Sequence, residues 1–196
     1  MKFNKNTWIL IIFFVCGFTC CDNPALVPKP QVYPRIYYPE KVYKILEEKA
    51  PFSFEIPVYS AIVLDKKYSI QNYWYNLNFI PFDATLHLSY YRLKSLIELD
   101  SLKEDTRKLA YKHAFRADEI KDLSLQDASR NLYGSMYLID GNTATNLNFF
   151  LTDSINHFLR GALYFNQKTK SDSIYPVFQF VKKDIEHLIN TLKWQN

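Results

Sequence analysis

Cysteine is missing from everything beyond residue 21, the chain's three being Cys16, Cys20 and Cys21. The remainder therefore holds no thiol for a disulfide, a zinc site or a nucleophile. Glycine is scarce as well, with four in 196 residues. Gly134, Gly141 and Gly161 form neither a Gly-rich phosphate loop nor a Gly-x-Ser-x-Gly elbow, so nucleotide cradling and esterase-type chemistry have no sequence sign. The four histidines, His87, His113, His157 and His187, show no metal-ligand spacing, and neither a metal nor another cofactor is expected. Charge of one sign is not in large excess: the net charge of +4 falls to about +2 without Lys2 and Lys5, and the signs alternate along the chain. No nucleic-acid partner or polybasic membrane patch is expected from that balance. Nor does any apolar run reach the roughly 20 residues that cross a bilayer.

What is present begins with an export signal. Lys2 and Lys5 precede an apolar run from Trp8 to Phe18, which ends in Thr19-Cys20-Cys21-Asp22, the order of a positively charged region, an apolar core and a small-residue cleavage site. Phe18-Thr19-Cys20-Cys21 resembles a bacterial lipobox, in which a small residue precedes the cysteine that receives diacylglycerol. Cys21 has the better spacing. Cys20 is the second choice, because it would place Gly17 where a larger apolar residue is usual. Residues 1–20 are then a lipoprotein signal peptide. Residues 21–39, with Pro24, Pro28, Pro30, Pro34 and Pro39, are a lipidated start and an extended tether. Residues 40–196 are one domain, since 48% apolar content with 15 Tyr and 15 Phe suits a single core.

Within the domain, Phe52 to Leu64, Leu77 to Pro81 and Ala84 to Tyr91 have the aromatic and β-branched content of strands. Alternation from Ala84 puts Thr85, His87 and Ser89 on one face and Leu86, Leu88 and Tyr90 on the other. Ser101-Leu102-Lys103-Glu104 reads as a capping box that opens a helix from Ser101 to Ala117, with Leu102, Thr106, Leu109, His113 and Arg116 on its packing stripe. Further strands are expected over Arg130 to Asp140, Leu147 to Thr152 and Phe158 to Phe165, the last two joined by a tight turn at Asp153-Ser154-Ile155-Asn156. Pro176 suits a first helical turn, and Val177, Val181, Ile185, Leu188 and Leu192 then share one face, with His187 pointing to solvent. The class is α+β: a mostly antiparallel sheet of about six strands, packed by a central helix and a C-terminal helix. That order of elements resembles the PsbP and Mog1-like sandwich.

The sharpest local grouping is Asp153, His157 and Arg160, because the turn brings Asp153 near His157 and a carboxylate there favours imidazolium. As chemistry it is a proton-transfer or anion-binding site, completed by His87 or His113. As architecture, Asp153 caps the turn, His157 starts a strand and Arg160 pairs with a carboxylate. The architectural reading is favoured, because no nucleophile or oxyanion loop accompanies the cluster, and His113 on a packing stripe reads first as a hydrogen-bonded core residue.

Pro28-Lys29-Pro30 with Arg35-Ile36, Ala84 to Tyr90, Leu109-Ala110-Tyr111-Lys112-His113 and, most specifically, Phe149 to Ser154 followed by His157 to Asn166 occur in one order along the chain. In these stretches the chain resembles the GldD lipoproteins of bacterial gliding motility. The resemblance implies an envelope lipoprotein, lipid-anchored and facing the periplasm, needed by the gliding apparatus and by the linked export of surface adhesins. It implies partners among those machineries, a non-catalytic assembly or scaffold role, and no catalytic residues. The alternative left open by the residues alone is an envelope enzyme or small-ligand binder using Asp153, His157, Arg160 and His87.

The anchor assignment is directly testable. Cys21→Ser should remove all acyl mass from the N-terminal peptide and shift detergent partitioning, whereas Cys20→Ser should leave an acylated protein whose mass begins at Cys21. Acylation lost in Cys20→Ser and kept in Cys21→Ser would move the acceptor to Cys20.

Overall fold

Alternation along Ala84–Arg92 sets the architecture: Leu86, Leu88 and Tyr90 are buried while His87 opens on the other side. The computed structural model describes residues 36–46, 50–65, 73–112, 114–141, 143–166 and 171–195. The export signal, Cys20, Cys21, most of the Pro-rich tether and His113 lie outside the described residues. Residues 34–196 form one compact unit.

Its centre is a seven-stranded sheet in the order β4-β5-β6-β10-β9-β8-β7. The strands are β4 (Ser60–Leu64), β5 (Trp74–Phe79), β6 (Ala84–Arg92), β7 (Ala117–Asp127), β8 (Leu132–Gly141), β9 (Thr145–Thr152) and β10 (His157–Phe165). Every neighbouring pair is antiparallel. Two short antiparallel pairs flank it, β1 (Tyr43–Ile45) with β3 (Glu55–Pro57), and β2 (Phe52–Ser53) with β11 (Lys193–Trp194). The α+β class is therefore as expected, with seven strands in the main sheet instead of about six.

The extra strand is β7, where the sequence pattern ends a helix at Ala117 and marks no element before Arg130. It is an edge strand whose side chains are mostly exposed or half-buried, and charged residues such as Glu119, Lys121 and Asp122 blunt its open edge. Little apolar alternation is left to read. Other boundaries move for local reasons. Phe52–Leu64 breaks into β2, β3 and β4, and β5 starts at Trp74 and ends before Pro81, because Ile80–Phe82 is a 3-10 turn closed by Asp83 at φ 47°.

The first helix, α1 (Leu96–Tyr111), starts and ends about six residues earlier than the capping pattern at Ser101 suggested. Ser95-Leu96-Ile97-Glu98 carries the same pattern and is the one in use. Ser95 Oγ accepts from the Glu98 amide at 3.2 Å and Glu98 Oε2 from the Lys94 amide at 2.8 Å. Glu104 instead pairs along the helix with Arg107 at 2.9 Å. The earlier start turns Leu99, Thr106 and Ala110 into the sheet and leaves Leu109 45% exposed, so Leu109 is not on the buried stripe. The chain then passes through a 3-10 turn at Ala114–Arg116, and Ala117 starts β7.

The second helix, α2 (Ser171–Thr191), buries Val181, Ile185, Leu188 and, just past its end, Leu192, as the 3.6-residue spacing required. Pro176 lies inside it, not in its first turn, and removes one backbone hydrogen bond. The two helices cover opposite faces. On β10, Leu159 and Leu163 belong to the core with α2, whereas Phe158 packs with Leu99 and Ala110 of α1 against Tyr137, Ile139 and Phe150. His187 is not free in solvent: its ring stacks on Tyr43 at 3.7 Å and its Nε2 lies 2.7 Å from Glu55 Oε2.

One buried carboxylate joins the N-terminal stretch of the domain to α2. Asp184, whose side chain has no exposed surface, accepts from Lys41 Nζ at 2.5 Å, from the Tyr43 hydroxyl at 2.8 Å and from the Tyr59 hydroxyl. Lys41 also donates to the Phe180 carbonyl at 3.0 Å and lies over that residue's ring. Burial, and then the Asp184 carboxylate, push both phenols well above the ordinary tyrosine value, so both remain protonated donors. A carboxyl group at that depth is tolerable only because several donors converge on it.

Packing is tight where β9 pairs with β10. A methyl group on Gly161 would overlap the Phe149 ring, which fills the space over that glycine. Gly161→Ala should destabilise the fold by about 1–3 kcal/mol in urea unfolding, and a loss below about 0.5 kcal/mol, the range of a neutral surface change, would contradict this packing.

Candidate functional site

Asp153 spends its side chain on the β9–β10 turn. Its Oδ1 accepts from the amides of Ile155 at 3.0 Å, Asn156 at 2.8 Å and His157 at 2.8 Å, and Ser154 takes φ 67° to make this possible. Thr152 Oγ1 completes the turn, accepting from the Ser154 amide and donating to the His157 carbonyl at 2.6 Å. Burial alone would raise the Asp153 carboxyl, but the three amides outweigh it and hold the group below the usual carboxylate range. The carboxylate is thus a structural cap, the architectural role read from the sequence.

His157 begins β10 and turns into the α2 side of the sheet, where 4% of its surface remains exposed. Its Nδ1 shares a 2.8 Å hydrogen bond with the Tyr90 hydroxyl, and its ring stacks on Trp194 at 5.0 Å, with 8° between planes. Burial is the largest influence on its pKa and lowers it, outweighing the attraction of Asp153. The expectation of an imidazolium is therefore reversed. Burial likewise pushes the Tyr90 phenol up to about 12, which makes the pair a neutral, packed hydrogen bond.

Arg160 is three residues further along the same strand and so faces the other side. There it donates to the Tyr91 hydroxyl at 3.2 Å, with the guanidinium 5.7 Å from that ring. Its partner is a tyrosine, not the carboxylate expected. The sheet therefore divides the sequence cluster: Asp153 caps the turn, His157 lies on the α2 side, and Arg160 shares the α1 side with His87.

Those two line a cavity of about 390 Å³ between α1 and strands β6, β10 and β9. Register explains its composition. Asn76, His87, Ala162 and Asn148 are successive cross-strand partners from β5 to β9, and Ser89 sits opposite Arg160 in the adjacent row. Thr106 and Leu109 of α1, with Lys112 just past its end, form the opposing wall. His87 Nδ1 lies 2.6 Å from Asn76 Oδ1, an oxygen that only accepts, so the proton sits on Nδ1 and Nε2 keeps its lone pair. Desolvation between the strands lowers the His87 pKa, against the pull of Asp65. Lys112, Asn148, Thr106 and Thr145 were missed as site residues. Thr106 had a sign, a hydroxyl on the packing stripe, and Asn148 had another, an amide amid Leu147, Phe149 and Phe150. His113 follows Lys112 directly but lies outside the described residues.

No group of three or more His, Cys, Asp or Glu among the described residues is placed to hold a metal ion. The arrangement around His87 and Arg160 offers hydrogen bonds and positive charge, and among the described residues the hydrogen-bond partner of His87 is Asn76, not a hydroxyl nucleophile.

Comparison with known proteins bears on the whole chain. The model of the family described as "Gliding motility lipoprotein GldD" matches residues 23–194. No curated protein matches the sequence. Among solved structures, the chain is similar to the solution structure of cyanobacterial PsbP (CyanoP) from Synechocystis sp. PCC 6803. The two are 11% identical, with a TM-score of 0.49 over 78% of this chain and 92% of that one. That likeness is too slight to argue from, and the fold stands on its own strand order.

The neutral state of His157 is open to measurement. Its pKa in the fold lies below the ordinary 6.5, so below about pH 6.5 the unfolded chain takes up a proton that the folded one refuses. The stability it contributes is present above about 6.5 and is lost as pH falls through the folded value. Imidazole NMR signals of His157 should titrate below 6.5; a midpoint above 6.5 would mean that Asp153 governs the ring.

Proposed function

The chain belongs to the gliding motility lipoprotein GldD family, and from that membership we propose that it is a non-catalytic assembly component of the gliding apparatus. In this reading Cys21 carries the lipid, the Pro-rich stretch spaces the domain from the membrane, and the domain faces the periplasm. There it supports the gliding machinery and the linked export of surface adhesins. Among the described residues no helix is long and apolar enough to cross a membrane; the reading takes membrane attachment from the family's lipoprotein character.

The observation that carries the reading is the division of Asp153, His157 and Arg160 between a turn and two faces of one sheet. An acid–base mechanism needs its groups within hydrogen-bond reach of one substrate. Here Asp153 is engaged by three amides and His157 by Tyr90 and Trp194. Of the four residues of the enzyme or small-ligand alternative, only His87 and Arg160 then share one cavity. Apolar side chains left exposed, among them Leu96 at 70%, Ile97 at 83%, Phe115 at 77% and Ile155 at 73%, are of the kind that protein partners cover. Lipid tethering favours such contacts by confining the domain to the volume near membrane-bound partners.

A clean deletion should abolish surface spreading and adhesin export. Complementation by Asp153→Asn or His157→Gln should restore both wherever the variant protein reaches normal abundance. Normal export in the deletion strain would refute the assembly role, and loss of function in an abundant, folded His157→Gln protein would return the case to chemistry.

A further inference from the structure

We propose that the cavity between α1 and strands β6, β10 and β9 binds a small organic anion through its carboxylate or phosphate group, with Arg160 and Lys112 as the charged contacts and Asn148 as the deep polar one. This goes beyond the assembly role. Three observations carry it. First, the cavity of about 390 Å³ falls within the roughly 300–1,000 Å³ typical of small-ligand sites, towards its lower end. The second, smaller cleft, beside β7, is about 80 Å³ and mixes Glu119 and Asp140 with Lys121.

Second, among the described residues the lining holds the basic side chains Arg160 and Lys112 and no carboxylate. Asp65, whose field reaches His87, is not among the lining residues. Arg160 is held on the central strand with one terminal nitrogen on Tyr91, which leaves the other donors of its planar fork for a carboxylate or phosphate. Third, Asn148 is 5% exposed and lines the cavity. Its Oδ1 accepts from Thr145 Oγ1 at 3.2 Å, while its Nδ2 has no acceptor among the described residues. That nitrogen is not a sealed orphan, since Trp194 Nε1 alone has that status among the described residues; it opens onto the cavity as a donor. Ala162 supplies the space. It stands between His87 and Asn148 in the cross-strand row, and a larger side chain there would fill the floor.

Small soluble anions and the headgroups of anionic lipids share this chemistry. The test uses the full lipoprotein in phosphatidylcholine nanodiscs, titrated calorimetrically with glycerol 3-phosphate and with citrate at constant ionic strength. Saturable binding of at least one probe is expected. It should weaken at least tenfold in Arg160→Gln and in Ala162→Leu, and stay within twofold of wild type in Lys121→Gln, which alters the other cleft. Arg160→Lys, which keeps the charge without the fork, should fall between wild type and Arg160→Gln, and covers the case in which Ala162→Leu fails to fold. Repeating the titration in nanodiscs containing phosphatidylglycerol distinguishes the sources. A weaker apparent affinity there identifies a lipid headgroup in the same site, and an unchanged one identifies a free anion. No saturable binding of either probe, or binding indifferent to Arg160→Gln, overturns the proposal.

Discussion

Everything in this domain depends on the register of one strand. β10 pairs with β6 without interruption from His157 opposite Arg92 to Phe165 opposite Ala84, and with β9 on its other side. Helices cover both faces, so a slip of one residue would exchange every side chain between the α2 core and the α1 side. In the observed register His157, Leu159, Gly161 and Leu163 meet the α2 side, while Phe158, Arg160, Ala162 and Tyr164 meet the α1 side. Apolar pressure enforces this, because Leu159 and Leu163 are fully buried and Arg160 could not be. Gly161 adds a steric lock under Phe149.

The two sides then have different characters. The α2 side is an almost wholly apolar core from Phe52 and Phe54 to Leu192, sealed at one edge by the Asp184 cluster that holds Lys41, Tyr43 and Tyr59. Lys41 lies two residues past Pro39, and Tyr38 packs on Phe180 beside it, so the described start of the domain is fastened to α2 here. The α1 side is apolar only beneath the helix, where Leu99 and Ala110 meet Phe150 and Phe158. Beside that contact the sheet presents a polar row, and the cavity opens there. Stability is concentrated on one face, and the other keeps hydrogen-bonding groups that the core does not consume.

Much of this was legible where a single segment held the signal. The faces of β6, the β9–β10 turn and the apolar stripe of α2 follow from period and turn chemistry alone. The start of α1 did not, because Ser95 and Ser101 both begin a Ser-x-x-Glu pattern and only packing of Leu99 and Thr106 separates them. β7 was hidden by the charge that protects an edge strand. Asp153, His157 and Arg160 looked like a site because they are close in sequence. Yet the odd spacing of His157 and Arg160 on a strand already placed them on opposite faces. Local signs such as Asn148 amid apolar neighbours could not be joined into a cavity, since His87, Lys112, Asn148 and Arg160 come from separate segments that meet only in the fold.

The face assignment of β10 is the central claim, and the absence of cysteine beyond residue 21 makes it cleanly measurable. In protein produced from Asp22 onward, single cysteines at positions 159, 160, 162 and 163 can be labelled with a small cationic thiol reagent under native conditions. The account predicts alternation, with Arg160→Cys and Ala162→Cys reacting about tenfold or more faster than Leu159→Cys and Leu163→Cys, whose labelling must wait for opening of the core. Equal rates along the strand, or the inverse alternation, would contradict it.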